Sequence, residues 1–378
     1  MPCKYLNEGE QTMKKILALI LALTMVFALA ACGGSGNAPA DTSADKPADT
    51  AADAPADKPA DESPAAEPDA APSGDLIKIG IINNDPSESG YRTANVADFE
   101  RVFCEENGYD AQKFYSLKND EQIAAAQQMI QSDIEFLLLS AAATTGWDTV
   151  LQDAQTNGIQ VILFDRTVDA DESLYVASVV SDMAKEGQTA VDWLAGQGLD
   201  EYNVIHIQGT MGSAAQVGRT GALDEKVAAE SNWTYVTQQT ADWDEDTAKT
   251  ITQSVIDSGK SFNVIYAEND GMARGAVAAL DSAGITHGVD GDVIVMGFDC
   301  NKWALEELVA GRWNYDGQCN PYQADVIDGI IKDLMAGKEP AEKVIIMEEV
   351  GFDASTITQA DIDKSGIGQT AAEVAAAG

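Results

Sequence analysis

Short apolar runs alternate with amphipathic stretches along the chain from residue 75 to residue 182. The apolar runs predict buried strands over 77–82, 135–139 and 159–164. Apolar residues at helical spacing predict helices over 91–107, 120–132 and 147–157. Buried strands that alternate with helices predict a parallel sheet with helices on both faces.

The same alternation begins again after residue 182. Strands are predicted over 202–208, 234–239, 263–267 and 292–297. Helices are predicted near 183–197, 214–230, 245–258 and 272–283. The predicted fold class is therefore α/β, with two doubly wound parallel-sheet lobes that face each other across a cleft. In such sheets ligands bind beyond the carboxyl ends of the strands.

The N-terminal segment has the pattern of a secretory signal. Two lysines follow Met13, an apolar run extends over 16–30, and Leu29-Ala30-Ala31-Cys32 closes the pattern. This ending resembles the bacterial lipobox, so residues 1–32 are interpreted as a signal peptide and Cys32 as the lipidated residue. Met13 is interpreted as the start of that signal. The alternative is a buried or anchoring helix, although the run is short for a membrane span.

Charge and composition separate the next segment from the rest. The chain has 378 residues, with 62 Asp and Glu against 23 Lys and Arg, and a formal net charge of −39. This acidity leaves no extended basic surface, which argues against nucleic-acid binding. Residues 33–74 contain nine of the acidic residues, two lysines and seven of the eleven prolines. Such a segment has almost nothing to bury, so it is predicted to be an extended, solvated acidic linker.

Polar residues follow the ends of the predicted strands in both lobes. They occupy 85–92, 142–147, 165–166, 209–213, 269–270 and position 299. Arg92 and Arg166 in this set, together with Arg219, nearly balance the acidic side chains, which favours a neutral ligand with many hydroxyls over a strong anion. The chain has only two histidines and no Cys-x-x-Cys pattern, so neither a metal site nor a cofactor is assigned. Cys300 and Cys319 are interpreted as unpaired buried thiols, although a disulfide between neighbouring strands is the alternative.

At these residues the chain resembles the type I periplasmic sugar-binding proteins of ABC transporters, with the ribose- and galactofuranose-binding branch closest. Tyr91 departs from that branch, which has Trp there. The motifs follow in the family's order from about residue 77 to beyond Pro321. They are Ser87-Glu88-Ser89-Gly90-Tyr91-Arg92-Thr93, Phe164-Asp165-Arg166-Thr167, Ile207-Gln208-Gly209-Thr210 with Arg219, Ala241-Asp242-Trp243, Asn269-Asp270-Gly271-Met272 and Gly297-Phe298-Asp299.

The resemblance implies a role for each matching residue. Arginines would donate hydrogen bonds to sugar oxygens, carboxylates would accept from hydroxyls, and amides would do either. Tyr and Trp side chains would lie against the C–H faces of the sugar ring. The implied ligand-binding residues are Glu88, Tyr91, Arg92, Thr145, Asp165, Arg166, Arg219, Trp243, Asn269, Asp299 and Gln318.

Structural roles are the alternatives for several of these residues. Arg92 could pair with Glu88 or Glu100, and Asp165-Arg166 could form a turn at a strand end. Trp243 could serve packing alone. Asp270 could cap the helix predicted from 272, and Thr145 with its neighbours could cap the helix that begins at Trp147.

The resemblance also implies the domain boundaries. The N-terminal lobe would comprise 75–181 and 318–342, and the C-terminal lobe would comprise 182–317 and 343–378. Three crossings of the chain would form a hinge, near Ser181-Asp182, Gly317-Gln318 and Glu342-Lys343.

The resemblance, together with the signal and the linker, implies the function of an extracytoplasmic lipoprotein. It would be monomeric and held at the cell membrane through Cys32, and it would deliver a monosaccharide to an ABC transporter permease. A furanose such as galactofuranose, or a ribose- or galactose-like sugar, would be the ligand. The alternative is an exported carbohydrate-active enzyme with Glu88 and Asp165 as paired carboxylates, although arginines beside both would hold them ionised. A repressor core of the same fold would need a basic helix-turn-helix in place of the signal.

Overall fold

Twelve strands form two separate six-stranded sheets in the computed structural model, which describes residues 75–377. The signal, the lipobox and the acidic linker predicted over 1–74 lie outside these residues. The first sheet has the spatial order β11-β5-β4-β3-β1-β2, and all of its strand pairs are parallel. Its strands are β1 (Ile77–Asn83), β2 (Tyr109–Tyr115), β3 (Phe136–Leu139), β4 (Gln160–Asp165), β5 (Ala177–Val180) and β11 (Val344–Ile346).

The second sheet has the spatial order β12-β10-β9-β8-β6-β7 and is parallel except for the antiparallel pair β10–β12. Its strands are β6 (Tyr202–Gln208), β7 (Trp233–Thr240), β8 (Val264–Ala267), β9 (Ile294–Asp299), β10 (Tyr315–Gln318) and β12 (Gly351–Asp353). The prediction of two α/β lobes with parallel-dominated sheets is thus confirmed.

Eleven α-helices within 75–377 cover the two sheets. They are α1 (Gly90–Val102), α2 (Asn119–Ile130), α3 (Asp148–Thr156), α4 (Met183–Ala195), α5 (Ala214–Ala229), α6 (Glu245–Asp257), α7 (Asp270–Ala283), α8 (Lys302–Val309), α9 (Ala324–Met335), α10 (Gln359–Ser365) and α11 (Ala371–Ala377). No helix in this part of the chain combines the length and the apolar character that crossing a membrane requires.

Each sheet is buried on both faces because its central strands are mostly apolar. In β3, Leu137 and Leu139 pack in one core cluster, whereas Phe136 and Leu138 pack in the cluster on the opposite face. This division follows from the alternation of side chains along a strand. The continuous apolar runs that predicted the strands therefore become the two-sided core of each lobe.

Three segments connect the lobes, and one lies away from its predicted place. The first follows β5 at Ser181 and Asp182, and the second follows β10 over 319–323. The third was predicted near Glu342-Lys343, but β11 pairs in parallel with β5 and so belongs to the first sheet. The third crossing therefore lies at 347–350, between β11 and β12. We call these three segments the hinge crossings.

Candidate functional site

Strained backbone marks the ends of three strands that face the gap between the lobes. Asp165, Asp242, Trp243, Asp299 and Cys300 have positive φ angles of 61°, 51°, 68°, 104° and 60°. Residues other than glycine rarely adopt this region, and the surrounding structure must offset a cost of roughly 1–3 kcal/mol for each. Such strain concentrates at functional sites, so these positions point to one.

A small cavity lies at this place, and we call it the interlobe cavity. Its volume is about 20 Å³, which is room for about one water molecule. Both lobes contribute to its lining, which consists of Glu88, Ser89, Tyr91, Asp165, Arg166, Met183, Ala215, Arg219, Trp243, Asn269, Asp299 and Cys319. The lobes are therefore closed upon each other, and a larger ligand requires them to separate.

Direct contacts outside the cavity hold the lobes in this closed arrangement. The backbone N–H of Thr144 in the first lobe donates to the carbonyl oxygen of Gly212 in the second lobe at 3.0 Å. Gly90 of the first lobe lies so close to Asn301 of the second that a Cβ at position 90 would be 2.0 Å from Asn301 Oδ1. Only a glycine permits this approach.

Asp165 is the central acceptor of the first lobe. It accepts hydrogen bonds from Tyr91 Oη at 2.8 Å, Arg92 Nη2 at 2.6 Å and Ser140 Oγ at 2.8 Å. Burial acts to raise the pKa of Asp165, but the guanidinium groups of Arg92 and Arg166 outweigh burial and lower the pKa below its usual value. Asp165 is therefore a stable anion that can accept further hydrogen bonds.

Arg92 stands behind Asp165 and does not line the interlobe cavity. Its Nε donates to Glu88 Oε2 at 3.1 Å, and its Nη1 donates to Asn83 Oδ1 at 2.8 Å and Asn95 Oδ1 at 3.0 Å. The side chain is fully buried. The structure thus shows the pairing with Glu88 that was the alternative, and Arg92 holds two cavity carboxylates in place.

Arg166 presents an unused donor to the interlobe cavity. Its Nη2 donates to Glu88 Oε2 at 3.0 Å, while its buried Nε has no hydrogen-bond partner among the described residues. Its guanidinium carbon lies 6.0 Å from the ring centre of Trp243 in the other lobe. Arg166 therefore connects the two lobes and retains one N–H for a ligand.

Trp243 covers the second-lobe side of the cavity. Its ring lies against Gly209, where a Cβ would come within 1.9 Å of the ring, so only glycine leaves room for it. The Trp243 Nε1 is buried, and it too has no hydrogen-bond partner within 75–377. The residue offers both an apolar face and a donor.

Asn269 combines a structural role with a place on the cavity. It is the N-cap of α7, and its Oδ1 accepts from the backbone N–H of Met272 at 2.8 Å. The predicted alternative placed the cap at Asp270, which instead occupies the first turn and accepts from Asn301 Nδ2 at 2.9 Å. Since the Asn269 oxygen is committed to the cap, its Nδ2 remains as the donor.

Arg219 is the cation of the second lobe. Its Nε donates to Glu186 Oε2 at 2.8 Å, and its Nη2 lies 3.4 Å from Asp299 Oδ1. Burial raises the pKa of Asp299 well above its usual value, although Arg219 opposes this shift. The two lobes therefore differ, because Asp165 is held ionised and Asp299 is able to keep a proton.

Cys300 and Cys319 are free buried thiols, as predicted.

Eight of the eleven predicted ligand residues line the interlobe cavity, and Arg92, Thr145 and Gln318 do not. Thr145 is exposed, and α3 has no side-chain cap at all, so the capping alternative is also wrong. Gln318 points to a different cavity on the far side of the hinge crossings. Successive side chains along an extended chain point to opposite sides, and the next residue, Cys319, lines the interlobe cavity in place of Gln318.

Sequence reasoning missed five residues that matter to the site. Ser89 lies inside a motif that was recognised, so its neighbours were a usable signal. Met183, Ala215 and Cys319 are apolar or weakly polar and offered none. Glu186 lies in the first turn of α4, far in sequence from the Arg219 that it binds.

Comparison with known proteins gives a consistent result. A family model described as a periplasmic binding protein domain matches residues 79–339. The fructose import binding protein FruE of Bifidobacterium longum is 29% identical over 92% of this chain and 96% of its own length. The galactofuranose-binding protein YtfQ of Escherichia coli is 32% identical over 54% of this chain and 66% of its own. A Mycobacterium smegmatis protein solved with β-D-fucofuranose has a TM-score of 0.68 and 28% identity, covering 74% of this chain and 92% of that chain.

Proposed function

The chain belongs to the periplasmic binding protein domain family, and from this premise we propose that it captures a monosaccharide between its lobes and delivers it to an ABC transporter permease. The observation that carries this proposal is the lining of the interlobe cavity. Both lobes supply polar groups to it, and Arg166 Nε and Trp243 Nε1 are buried donors with no hydrogen-bond partner among the described residues.

A neutral sugar matches these groups. Its hydroxyls would accept from Arg166 Nε, Trp243 Nε1 and Asn269 Nδ2, and would donate to the ionised Asp165. The indole face of Trp243 would cover the C–H face of the ring. A sugar that lacks one of the matched hydroxyls would leave a buried group unpaired, at a cost of about 1–3 kcal/mol. Specificity would therefore come from unmet hydrogen bonds.

Binding requires the lobes to open and close. The interlobe cavity of about 20 Å³ cannot contain a monosaccharide ring with its hydroxyls. The sugar would enter an open form, displace the direct contacts among cavity residues, and be enclosed when the hinge crossings bend. Its binding energy is shared by both lobes, so it shifts the balance between open and closed forms.

Furanose forms are the first sugars to test. The relatives named above are described as binding fructose and galactofuranose, and the M. smegmatis structure contains β-D-fucofuranose. We propose a furanose, or a ribose- or galactose-like sugar, as the ligand of this chain.

A thermal-shift panel tests the sugar assignment. D-Fructose, D-ribose, L-arabinose, D-galactose and myo-inositol would each be titrated from micromolar to millimolar concentration against residues 33–378. A true ligand raises the unfolding temperature progressively, because a ligand at 100 times its Kd stabilises the native state by about 2.7 kcal/mol. If no compound of the panel shifts the unfolding temperature, the assignment is wrong.

An enzymatic role for Glu88 and Asp165 is less compatible with the geometry. A glycosidase needs one carboxylic acid with a raised pKa, whereas the pKa of Asp165 is lowered by two arginines. Glu88 Oε2 accepts from both Arg92 and Arg166. Recovery of a radiolabelled sugar or glycoside unchanged after incubation supports binding, and turnover would contradict it.

We further propose that the mature protein is a monomer outside the cytoplasm, tethered to the cell membrane through a lipid on Cys32 and the acidic linker 33–74. Metabolic labelling with a radioactive fatty acid tests the anchor. Labelled wild-type protein and unlabelled Cys32→Ser protein support it, while equal labelling of the two would contradict it. Copurification of the permease encoded for the same transporter, in a sugar-dependent manner, tests the partner.

A further inference from the structure

Glu349 joins the three hinge crossings. It lies in the third crossing, and its Oε1 accepts from Ser181 Oγ of the first crossing at 2.6 Å. The same oxygen accepts from the backbone N–H of Asn320 in the second crossing at 2.7 Å. One carboxylate oxygen therefore contacts all the segments that must bend when the lobes move.

Glu186 faces this carboxyl group and also holds Arg219. Its Oε2 accepts from Arg219 Nε at 2.8 Å and lies within 2.7 Å of Arg219 Nη2. Its Oε1 is buried and has no hydrogen-bond partner among the described residues. Ligand atoms of Glu186, Glu349 and Cys319 all lie within 4.8 Å of one another. The carboxyl groups of Glu186 and Glu349 thus face each other across a buried gap, and Arg219 contacts Glu186 on the side away from Glu349.

Two carboxylates in such a place do not both ionise easily. Burial, and then the charge of Glu186, raise the pKa of Glu349 to about 8. Burial also raises the pKa of Glu186, with Arg219 acting against it, and raises the pKa of the Cys319 thiol well above its usual value. At neutral pH the pair therefore holds one proton, and the thiol remains protonated.

Other charged groups face the same region through a second cavity. This hinge cavity has a volume of about 730 Å³ and gives water a path to the pair. Its titratable lining, besides the two glutamates, consists of Asp182, Lys185, Tyr315, Glu348 and Lys364. These groups lie on the first crossing, α4, β10, α10 and the third crossing, and their charges of both signs nearly balance.

We propose that Glu349 and Glu186 share one proton, that this proton keeps Glu186 directed at Arg219, and that Glu349 is therefore a positioning residue through which pH controls sugar affinity. The proposal rests on the proposed function, because Arg219 lines the interlobe cavity. The unpartnered Glu186 oxygen is the acceptor for the Glu349 proton. Without the proton, two buried negative charges oppose each other at the hinge.

The sign of the pH effect follows from proton linkage. Bending of the hinge crossings moves Glu349, on the third crossing, away from Glu186 of α4, so the closed form binds the shared proton more tightly than the open form. Sugar binding therefore takes up a proton, and Kd rises as pH increases, by at most about tenfold per pH unit. The rise ends near pH 8, where the closed form also loses the proton.

Titration calorimetry with D-fructose at pH 6, 7, 8 and 9 tests the proposal in wild type, Glu349→Gln and Glu348→Gln. The neighbouring Glu348 is exposed and makes a matched control. Wild type and E348Q are expected to take up a proton when they bind the sugar and to lose affinity as pH rises to 8. Proton uptake is measured from the way the binding enthalpy changes with the ionisation enthalpy of the buffer. E349Q is expected to bind with a Kd independent of pH and with no proton uptake.

Two results would overturn the proposal while leaving sugar binding intact. One is a wild-type pH profile retained by E349Q. The other is a pH dependence of the wild-type Kd that EDTA abolishes and Zn²⁺ restores, since a metal ion would then occupy the place of the proton. Glu186→Gln is a second variant should E349Q fold poorly, and it is expected to be independent of pH and weaker at every pH, because Arg219 loses its charged partner.

Sugar-free unfolding separates this proposal from the proposed function. If D-fructose and the rest of the panel bind none of the proteins, the sugar assignment fails. The shared proton is still expected to make wild type less stable relative to E349Q as pH rises from 6 to 8, in urea denaturation. If the free energy of unfolding changes with pH in the same way in wild type and E349Q, the shared proton is refuted.

Discussion

Replacement of Gly90 by Ala tests whether the closed arrangement is the sugar-bound form. Gly90 is the first residue of α1, and a Cβ there would lie 2.0 Å from Asn301 Oδ1 of the other lobe. Asn301 is not free to rotate away, because its Nδ2 donates to the buried Asp270 Oδ2 at 2.9 Å. Closure of G90A therefore requires this hydrogen bond to be given up.

The cost can be worked out from the contact that is lost. A hydrogen bond of this kind contributes about 0.5–1.5 kcal/mol, which corresponds to a loss of affinity of about twofold to about tenfold. The open form has no clash, and Ala is a better helix former than Gly. We therefore expect G90A to bind sugar more weakly while its sugar-free unfolding temperature stays the same or rises.

Calorimetry with the sugar selected by the thermal-shift panel measures the affinity. Gly221→Ala is the matched control, because it is a helical glycine of α5 where an added Cβ meets nothing within 4 Å. G90A/N301A is expected to recover affinity, since the obstructing side chain is gone. G90A protein that binds as tightly as wild type would show that the contact between positions 90 and 301 is absent from the bound form.

Three further changes have defined outcomes. Asp165→Asn removes one of the two charged partners of the fully buried Arg92, and we expect it to lose about 3 kcal/mol of stability in urea denaturation together with sugar binding; Asn at the exposed Asp148 is the control. Trp243→Phe keeps an aromatic face but removes the unpartnered Nε1, so affinity is expected to fall about tenfold at an unchanged unfolding temperature. Gly209→Ala is expected to displace the Trp243 ring and so to reduce both the affinity and the sugar-induced change in tryptophan fluorescence.

The sequence predicted six strands inside the sheets, because most residues in them are apolar, and missed the short inner strands β5 and β10; the predicted ones are β1, β3, β4, β6, β8 and β9. β3 and β4 are buried on both faces, and this leaves a continuous run that periodicity detects. Of the four edge strands, β7 was predicted over 234–239, whereas β2, β11 and β12 were not. β2 carries polar residues at alternate exposed positions, and β11 has only three residues, so neither forms such a run. The misplaced third crossing follows directly from the missed β11.

Side chains that follow a strand end directly were predicted best. Asp165 and Asp299 lie at fixed positions after recognisable strands, and the family resemblance that placed them is confirmed. Gln318 does not line the interlobe cavity, because its orientation depends on the register of β10 against β9. Glu186 and Glu349 were missed because only the closed hinge brings α4 and the third crossing together.

A crystal structure grown with the sugar that produces the largest thermal shift tests the central claim most directly. We expect one intact ring between the lobes, with hydrogen bonds to Asp165 and Arg166 from the first lobe and to Asn269 from the second. Sugar bound to one lobe alone, outside the interlobe cavity, or recovered as a chemically altered product would contradict the account.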